Sequence, residues 1–110
     1  MKKPPEILVQ HILECIERIE INIEDLSENE FHENVTIQDA LVRRLEIIGE
    51  ASRNLPSEFK QAHPQIPWLD IADMRNRLIH EYFNVDLDLV WDIVTLEIPT
   101  LKKQLEKILL

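Results

Sequence analysis

Apolar residues in the first quarter of the chain recur at spacings of three and four positions, which is typical of one buried face of an α-helix. The residues of this stripe are Leu8, Ile12, Ile16, Ile19, Ile23 and Leu26. Pro4 and Pro5 precede the stripe and suit the first turn of a helix, where no backbone N–H is needed. The pattern therefore predicts a long amphipathic first helix, followed by a polar loop over Ser27–Asn34.

A second apolar stripe begins after Thr36, which starts a Thr-x-x-Asp pattern that resembles a helix N-terminal cap. Its members are Ile37, Leu41, Leu45, Ile48 and Leu55. Gly49 lies inside this predicted helix, where glycine is less favourable than alanine by up to ~1 kcal/mol. We interpret the glycine as a point where a neighbouring helix comes close, and Pro56 as the end of the helix.

Two further helical segments are predicted before the last quarter of the chain. A short one is capped by Ser57 and extends to about His63. The next begins at Pro67 and is expected to end near Tyr82, where the apolar pattern gives way to a connector. Its apolar residues are Trp68, Leu69, Ile71, Met74 and Leu78.

The last predicted helix follows a cap at Asp86 or Asp88, and Pro99 inside it is expected to cause a kink. Its apolar residues are Leu89, Ile93, Leu96, Leu101, Leu105, Ile108 and Leu109. No alternation of strand and helix patterns is present. The sequence therefore predicts an all-α fold, an up-down bundle of four main helices plus one short helix, in a single domain over residues 1–110.

Composition agrees with a helical fold and limits the class of protein. Hydrophobic residues make up 45% of the chain, enough for a core, and a single glycine is unusual for a fold rich in strands and turns. Cys15 is the only cysteine, so no internal disulfide can form and a cytoplasmic location is expected. The start of the chain does not resemble a signal peptide, and no apolar run reaches the ~20 residues of a membrane-spanning helix.

The formal net charge of the chain is −9, which bears on its partners. Broad, non-specific binding to nucleic acid depends on many Lys and Arg residues that neutralise phosphates. The charge therefore argues against such binding, and is compatible with a local basic site or a basic partner protein.

Polar groups suited to phosphodiester chemistry concentrate in Met74–Tyr82. Arg75 offers a fork of donors to phosphate oxygens, and His80 can exchange a proton near neutral pH. On an ideal helix these two residues lie about 140° apart. We therefore expect either a distorted helix end near His80 or a groove contacted from both edges. Cleavage of RNA needs both an acid and a base, and a two-fold dimer would supply the second histidine.

The segment R-N-R-L-I-H-E-Y at Arg75–Tyr82 fits the R-x-x-x-x-H-x-Y signature of HEPN-domain proteins. It resembles in particular the HepT-like toxins of HEPN–nucleotidyltransferase toxin–antitoxin pairs. The likeness includes L-E-I-I-G-E-A at Leu45–Ala51 and the Pro67–Trp68 entry to the motif helix. It therefore extends over most of the chain.

This resemblance implies a metal-independent endoribonuclease toxin, without a cofactor, in which Arg75 and His80 are catalytic. Asn76 is implied as a supporting residue, and Arg77 is the best placed of the other arginines to support phosphate binding. The resemblance also implies an RNA substrate, a homodimer with the active cleft at the subunit interface, and a cognate nucleotidyltransferase antitoxin. The antitoxin would transfer AMP from ATP to the Tyr82 hydroxyl, and this bulky anionic group would occupy the phosphate site.

A purely structural explanation of the motif stays open. In that case Arg75 pairs with Asp73 or Glu81 on a solvated helix face. His80 is then a solvated side chain as well, and Tyr82 covers the edge of the core. Each of these residues would contribute to stability or solubility instead of catalysis.

Alternatives for the remaining charged residues also stay open. A charged helix surface explains Arg43, Arg44 and Arg53 more simply than RNA binding does. Glu46 and Glu50 lie one turn apart and could bind a metal, although pairing with Arg43 and Arg53 is favoured.

His11 and Cys15 also lie one turn apart, but two ligands fall short of the roughly four of a structural zinc site. We therefore expect no metal. Two other functions remain: a non-catalytic helical subunit that docks a nucleotidyltransferase, favoured by the acidic charge, and a metal-dependent enzyme built on Glu46 and Glu50, which ranks last.

Overall fold

The computed structural model describes residues 3–80 and 84–109, with only the backbone described at residue 80. The helices in these ranges are α1 (Pro5–Ile23), α2 (Glu28–Glu33), α3 (Val35–Arg53), α4 (Ser57–Ala62), α5 (Trp68–Ala72), α6 (Met74–Leu78), α7 (Leu87–Asp92), a π-helical segment (Ile93–Glu97) and α8 (Ile98–Leu109). Two short strands, β1 (Ile79–His80) and β2 (Asn84–Val85), pair antiparallel with Ile79 opposite Val85.

The all-α prediction is confirmed. α3 packs against α1 on one side and against α5 and α6 on the other, and α8 packs against α1. α7, the π segment and α8 follow one another without interruption. The side chains that fill the centre are fully buried and come from every main helix: Ile12, Ile16, Ile19, Leu41, Leu45, Ile48, Met74, Leu78, Ile93 and Leu105. None of the helices in the described ranges combines the length and apolar character needed to cross a membrane.

The predicted loop over Ser27–Asn34 is wrong, because most of it forms α2. A capping box starts this helix: the Ser27 hydroxyl accepts from the Glu30 backbone N–H at 3.1 Å, and the Glu30 carboxylate accepts from the Ser27 N–H at 2.9 Å. Phe31 is buried, and its ring lies 5.2 Å from the ring of Trp91. One apolar residue shows no periodicity, so α2 depends on its cap and on this tertiary contact.

The predicted caps of two other helices also need correction. Asn34 caps α3 instead of Thr36, and its side-chain oxygen accepts from the Ile37 N–H at 3.0 Å. Ser57 is the first residue of α4, and Pro56 occupies the cap position with no side-chain hydrogen bond.

The motif helix was predicted to end near Tyr82, and this is wrong. It is interrupted at Asp73, between α5 and α6, and ends at Leu78. Ile79 adopts extended backbone angles and pairs with Val85, while the Asp86 N–H donates to the Leu78 carbonyl at 2.9 Å. The backbone groups of Leu78 and Ile79 thus pair with the segment Val85–Asp86 instead of with a further turn of helix. This strand pairing replaces the last turn that the sequence predicted.

The start of the last helix is as predicted, since Asp86 caps α7 by accepting from the Leu89 N–H at 3.1 Å. The kink expected at Pro99 stays a prediction. The π segment precedes this proline, and in it the Ile98 N–H donates five residues back to the Ile93 carbonyl. Proline has no N–H and crowds the carbonyl of the preceding turn. π turns occur mostly as single-turn bulges inside α-helices, and this one lies directly before the turn that contains the proline.

Candidate functional site

Gly49 determines how closely the motif segment lies against α3. A Cβ atom added at Gly49 would lie 2.9 Å from the Ile71 carbonyl oxygen and 3.1 Å from the Met74 Cβ. Both distances are too short for ordinary contact, so a side chain at this position would displace the junction of α5 and α6. The close approach predicted from the sequence is confirmed, and it brings α6 directly onto the helix that carries Arg43 and Arg53.

Arg53 holds the same junction by a hydrogen bond. Its Nη2 donates at 2.7 Å to the carbonyl of Ala72, the last residue of α5. Carbonyls at a helix end have no partner within the helix, and an arginine there satisfies one of them. The Glu50 carboxylate lies 3.9 Å from Arg53 Nη1, so the predicted Glu50–Arg53 pairing is confirmed.

A cleft of about 830 Å³ lies between α1, α3 and the α5–α6 junction, and we call it the Arg75 cleft. Its polar lining consists of His11, Arg43, Glu46, Glu50, Arg53, Asn54, Arg75 and Asn76. Arg43 and Arg75 are both exposed, and no carboxylate in the described part of the chain pairs with either of them. Among the described residues, then, nothing occupies the donors of these two guanidinium groups, and they are placed to bind an anion.

Asn76, the residue after Arg75, is hydrogen-bonded to the carboxylate of Asp73, which is one of the two predicted partners of Arg75. Asn76 Nδ2 donates to Asp73 Oδ1 at 2.6 Å. Among the described residues Arg75 has no ion pair with Asp73, and Glu81, the other proposed partner, lies outside the described residues. This bond orients the Asn76 amide on the wall of the Arg75 cleft.

Arg77 points to a different neighbour from Arg75. Its Nη1 and Nη2 donate to the two carboxylate oxygens of Glu97 at 3.1 and 2.8 Å, which ties α6 to the π segment. These hydrogen bonds raise the pKa of the Arg77 guanidinium above its ordinary value. Two positions along a helix correspond to about 200°, so Arg77 does not line the Arg75 cleft. The structure does not bring it together with Arg75 and Asn76.

His80 lies beyond the end of the helix. α6 ends at Leu78, and the backbone of His80 is in β1, opposite Asn84. The angle of about 140° on an ideal helix does not apply here, and of the two arrangements expected from the sequence the distorted helix end is the one found. The His80 side chain and the whole of Tyr82 lie outside the described residues, so their predicted roles stay predictions.

His11 is the lining residue that sequence reasoning missed. It was considered only as a metal ligand together with Cys15, whose side chain is buried. The structure places the half-buried His11 on the wall of the Arg75 cleft, on a different helix from the motif. In the sequence, His11 is only a polar residue beside the apolar stripe of α1. Whether it faces solvent or a cleft depends on how α1 packs against α3.

A group with the spacing of metal ligands lies elsewhere on the surface. His32 Nε2 is 3.2 Å from Asp88 Oδ1 and 3.7 Å from Glu28 Oε2. These contacts join α2 to the first turn of α7. Neither Glu46 nor Glu50 belongs to this group. Contacts between the His32 ring and carboxylates of the two helices explain the arrangement, and none of these residues lines the Arg75 cleft.

Comparison with known proteins identifies the family. The family model described as "Ribonuclease HepT-like" matches residues 12–108. A Methanocaldococcus jannaschii protein named "Gamma-glutamylcyclotransferase and putative RNase" is 48% identical over 109 residues, which are 99% of this chain and 49% of that protein. A Thermococcus cleftensis protein named "Probable ribonuclease HepT" is 44% identical over 108 residues, which are 98% of each chain.

The chain thus spans about half the length of the first of these relatives and nearly all of the second. No solved structure matches the chain. The matched range extends over most of the sequence and contains the Arg75–Tyr82 motif and Gly49, against which the motif segment packs. It also contains the three arginines of the cleft, Arg43, Arg53 and Arg75. The chain belongs to the HepT-like family of ribonucleases.

Proposed function

We propose that this chain is a metal-independent endoribonuclease that cleaves RNA by attack of a ribose 2′-hydroxyl on the adjacent phosphodiester. The bond from O2′ to phosphorus forms, the bond from phosphorus to O5′ breaks, and the products carry a 2′,3′-cyclic phosphate and a 5′-hydroxyl. The observation that carries the proposal is the Arg75 cleft, in which Arg43 and Arg75 face solvent without carboxylate partners among the described residues.

Each motif residue has a role in this reaction. Arg75 donates to the non-bridging oxygens, whose negative charge grows as the fifth oxygen approaches phosphorus. Asn76, oriented by Asp73, supports the same phosphate. His80 takes the proton of the 2′-hydroxyl or gives a proton to the departing O5′. Arg77 supports the site indirectly, since its bonds to Glu97 hold α6 in place.

A homodimer with the cleft at the subunit interface would supply the second proton-transfer group, His80 of the second copy. Two large apolar side chains support a dimer: Leu69 on α5 is 87% exposed, and Leu96 on the π segment is 66% exposed. Leu96 also lines an apolar depression of about 250 Å³, together with Ile71, Met74 and Leu101. Exposed apolar surface is the kind that a second copy would cover. This surface adjoins the Arg77–Glu97 side of α6, so it supports a dimer, and the place of the cleft in that dimer rests on the resemblance to the family.

We further propose that the chain is the toxin of a toxin–antitoxin pair. A nucleotidyltransferase antitoxin would transfer AMP from ATP to the Tyr82 hydroxyl, with release of pyrophosphate. The resemblance of Arg75–Tyr82 to the HEPN signature supports this proposal. Each AMP adds an anionic phosphate that would compete for the same guanidinium groups as RNA. Intact mass spectrometry after co-expression with the antitoxin tests it, and a protein without added AMP that is nevertheless inhibited would contradict it.

The ribonuclease proposal is tested with purified, unmodified protein and RNA in EDTA. We expect cyclic-phosphate products and a loss of about 10²–10⁴-fold in kcat in His80→Ala, because a general acid or base contributes that much. Arg75→Ala is expected to lose about 10²–10³-fold. Lys103→Ala, on the exposed side of α8, is the control and should leave the rate unchanged. Intact RNA with the wild-type protein would overturn the proposal and favour the non-catalytic docking subunit. Full activity in His80→Ala would overturn the role given to His80 in the reaction.

His11 is a second candidate for the missing proton-transfer group, because it lines the Arg75 cleft of the same chain. The pH–rate profile of His11→Gln separates it from the dimer explanation. Loss of one limb of a bell-shaped profile would assign His11 to the reaction, whereas an unchanged profile leaves the second group to the partner copy.

A further inference from the structure

We propose that the Arg75 cleft continues into a cationic groove that binds the backbone of a single-stranded RNA away from the bond being cleaved. This inference rests on the proposed ribonuclease function and adds a path for the substrate. The groove runs from Arg75 past Arg53 towards Lys3 and Lys60. We call it the Lys60 groove.

The groove is defined by two depressions that share residues. The second has a volume of about 560 Å³, and its polar lining is Lys3, Arg53, Asn54, Ser57 and Lys60. Leu8, Arg53 and Asn54 line both this depression and the Arg75 cleft. The two are therefore continuous along the end of α3, between the first turns of α1 and α4.

Charge is distributed very unevenly between this surface and the rest of the chain. The combined lining contains five of the 12 Lys and Arg residues and two of the 21 carboxylates. These cations are Lys3, Arg43, Arg53, Lys60 and Arg75, and the carboxylates are those of Glu46 and Glu50. Electrostatic interactions are screened within roughly 8–10 Å at physiological salt. Asp73, which is bonded to Asn76 at the cleft wall, reduces the excess of positive charge at the Arg75 end, and cations still outnumber carboxylates along the groove.

The remainder of the chain holds seven cations and 19 carboxylates. A polyanion is repelled from such a surface and directed to the groove, whose lining holds more cations than carboxylates. The net charge of −9 thereby becomes compatible with RNA as the substrate, since it confines binding to the groove instead of preventing it.

Lys60 is held in the groove while most of its donors stay available. Its Nζ donates to the Ser52 carbonyl at 3.3 Å, which uses one of the three N–H groups of the ammonium. No carboxylate of the described residues forms an ion pair with it. A cation that is oriented by a neutral carbonyl keeps its full charge for a phosphate. A row of such cations along one groove follows one strand, which is the arrangement typical of single-strand binding.

The test compares a long and a short ligand in the intact protein. Both are uridine oligonucleotides with 2′-O-methyl groups, which remove the nucleophile, and binding is measured by fluorescence anisotropy. We expect Lys60→Gln to weaken binding of the long oligonucleotide about threefold, and Lys3→Gln with Lys60→Gln roughly tenfold. The slope of log affinity against log salt should decrease by about 0.7 for each phosphate contact removed. A dinucleotide occupies only the Arg75 end, so its binding should not change.

Lys103→Gln is the matched control, since it removes one exposed positive charge on α8 outside both depressions. Equal losses in the Lys60 and Lys103 variants would overturn the groove, and so would equal losses for the long and short ligands. Glutamine keeps an N–H donor for the Ser52 carbonyl. If Lys60→Gln nevertheless unfolds at a lower temperature, Lys3→Gln alone serves as the test.

Failure of the proposed ribonuclease function gives a different result. Unmodified RNA then stays intact with wild-type protein in EDTA, while anisotropy still reports binding of the long 2′-O-methyl ligand. In that case the intact RNA overturns the proposed catalysis, and the dependence of binding on Lys3 and Lys60 still supports the groove.

Discussion

Replacing Gly49 with alanine tests whether close packing of the motif segment on α3 is needed for both stability and catalysis. The added Cβ would meet the Ile71 carbonyl oxygen at 2.9 Å and the Met74 Cβ at 3.1 Å. Neither atom lies at the end of a flexible side chain that could rotate away. The junction of α5 and α6 must therefore move outward, or α3 must move in the opposite direction.

Two effects of opposite sign determine the change in the free energy of unfolding. Alanine is favoured over glycine inside a helix by about 1 kcal/mol. An extra carbon in a tightly packed contact is unfavourable by roughly 1–3 kcal/mol, and contacts with backbone lie in the upper part of that range. We therefore expect a net loss of about 1–2 kcal/mol in Gly49→Ala. For a domain of this size that corresponds to a decrease in Tm of roughly 5–10 °C.

The effect on activity should exceed the effect on stability. Arg75 follows Met74 directly, so a displacement of the junction moves the guanidinium relative to Arg43 on α3. A misplacement of about 1 Å can reduce the rate of an enzyme by roughly 10²-fold. We expect kcat/KM of Gly49→Ala for RNA to fall by roughly 10–100-fold at a temperature where circular dichroism shows the variant fully folded.

Asp39→Ala is the control, because Asp39 is exposed on the same helix and its replacement tests helix preference without a steric clash. Thermal unfolding and initial cleavage rates are measured for both variants. An unchanged or increased Tm in Gly49→Ala would refute the packing argument. A large loss of Tm with wild-type kcat/KM would show that the position of the junction does not matter for catalysis.

Three further predictions concern contacts outside the cleft. Arg77→Gln and Glu97→Gln should each lower the free energy of unfolding by roughly 0.5–1 kcal/mol, because each removes the same bidentate pair. The double variant should lose no more than the larger of the two single losses, and additive losses in chemical denaturation would contradict this. Ser52→Ala should raise the free energy of unfolding by roughly 1 kcal/mol, since the buried Ser52 hydroxyl has no hydrogen-bond partner in the described ranges; a lower Tm would show that it has one. Hydrogen bonds from the Ser27 backbone and hydroxyl hold the pKa of Glu30 below its ordinary value of 4.5, so this carboxylate stabilises the fold above that pH and the contribution is lost as the pH falls through the lowered pKa. Tm profiles of wild type and Glu30→Ala should therefore converge in acid, and a constant difference would contradict the assignment.

Local sequence patterns were sufficient for the long helices and for the family signature from which Arg75 and His80 are proposed as reactive groups. The apolar stripe of α1 and that of α3 repeat over several turns, so each predicts its helix without knowledge of the partner. Asp86 is recognisable as a cap because it acts on a backbone N–H three residues away. The residue types in Arg75–Tyr82 indicate phosphodiester chemistry whatever their arrangement.

α2 shows where such patterns are harder to read. Ser27 and Glu30 form a capping box that is present in the sequence, but Phe31 is the only apolar residue of the segment. A helix of six residues is not stable by itself, so its formation depends on the contact of Phe31 with Trp91, which lies 60 positions away. Local polarity alone predicted a loop there.

The sequence by itself determined which helices are long and which residue types are available for the proposed chemistry. The tertiary structure decided where those residues lie. The end of α6 at Leu78 depends on pairing with a strand that follows later in the chain, and the cleft joins His11, Arg43 and Arg75 from three helices. The total charge of −9 is a sum over residues, and a sum carries no information about position. Only folding separates the cations of the Lys60 groove from the carboxylates elsewhere, because packing, and not local preference, determines which faces of the helices meet.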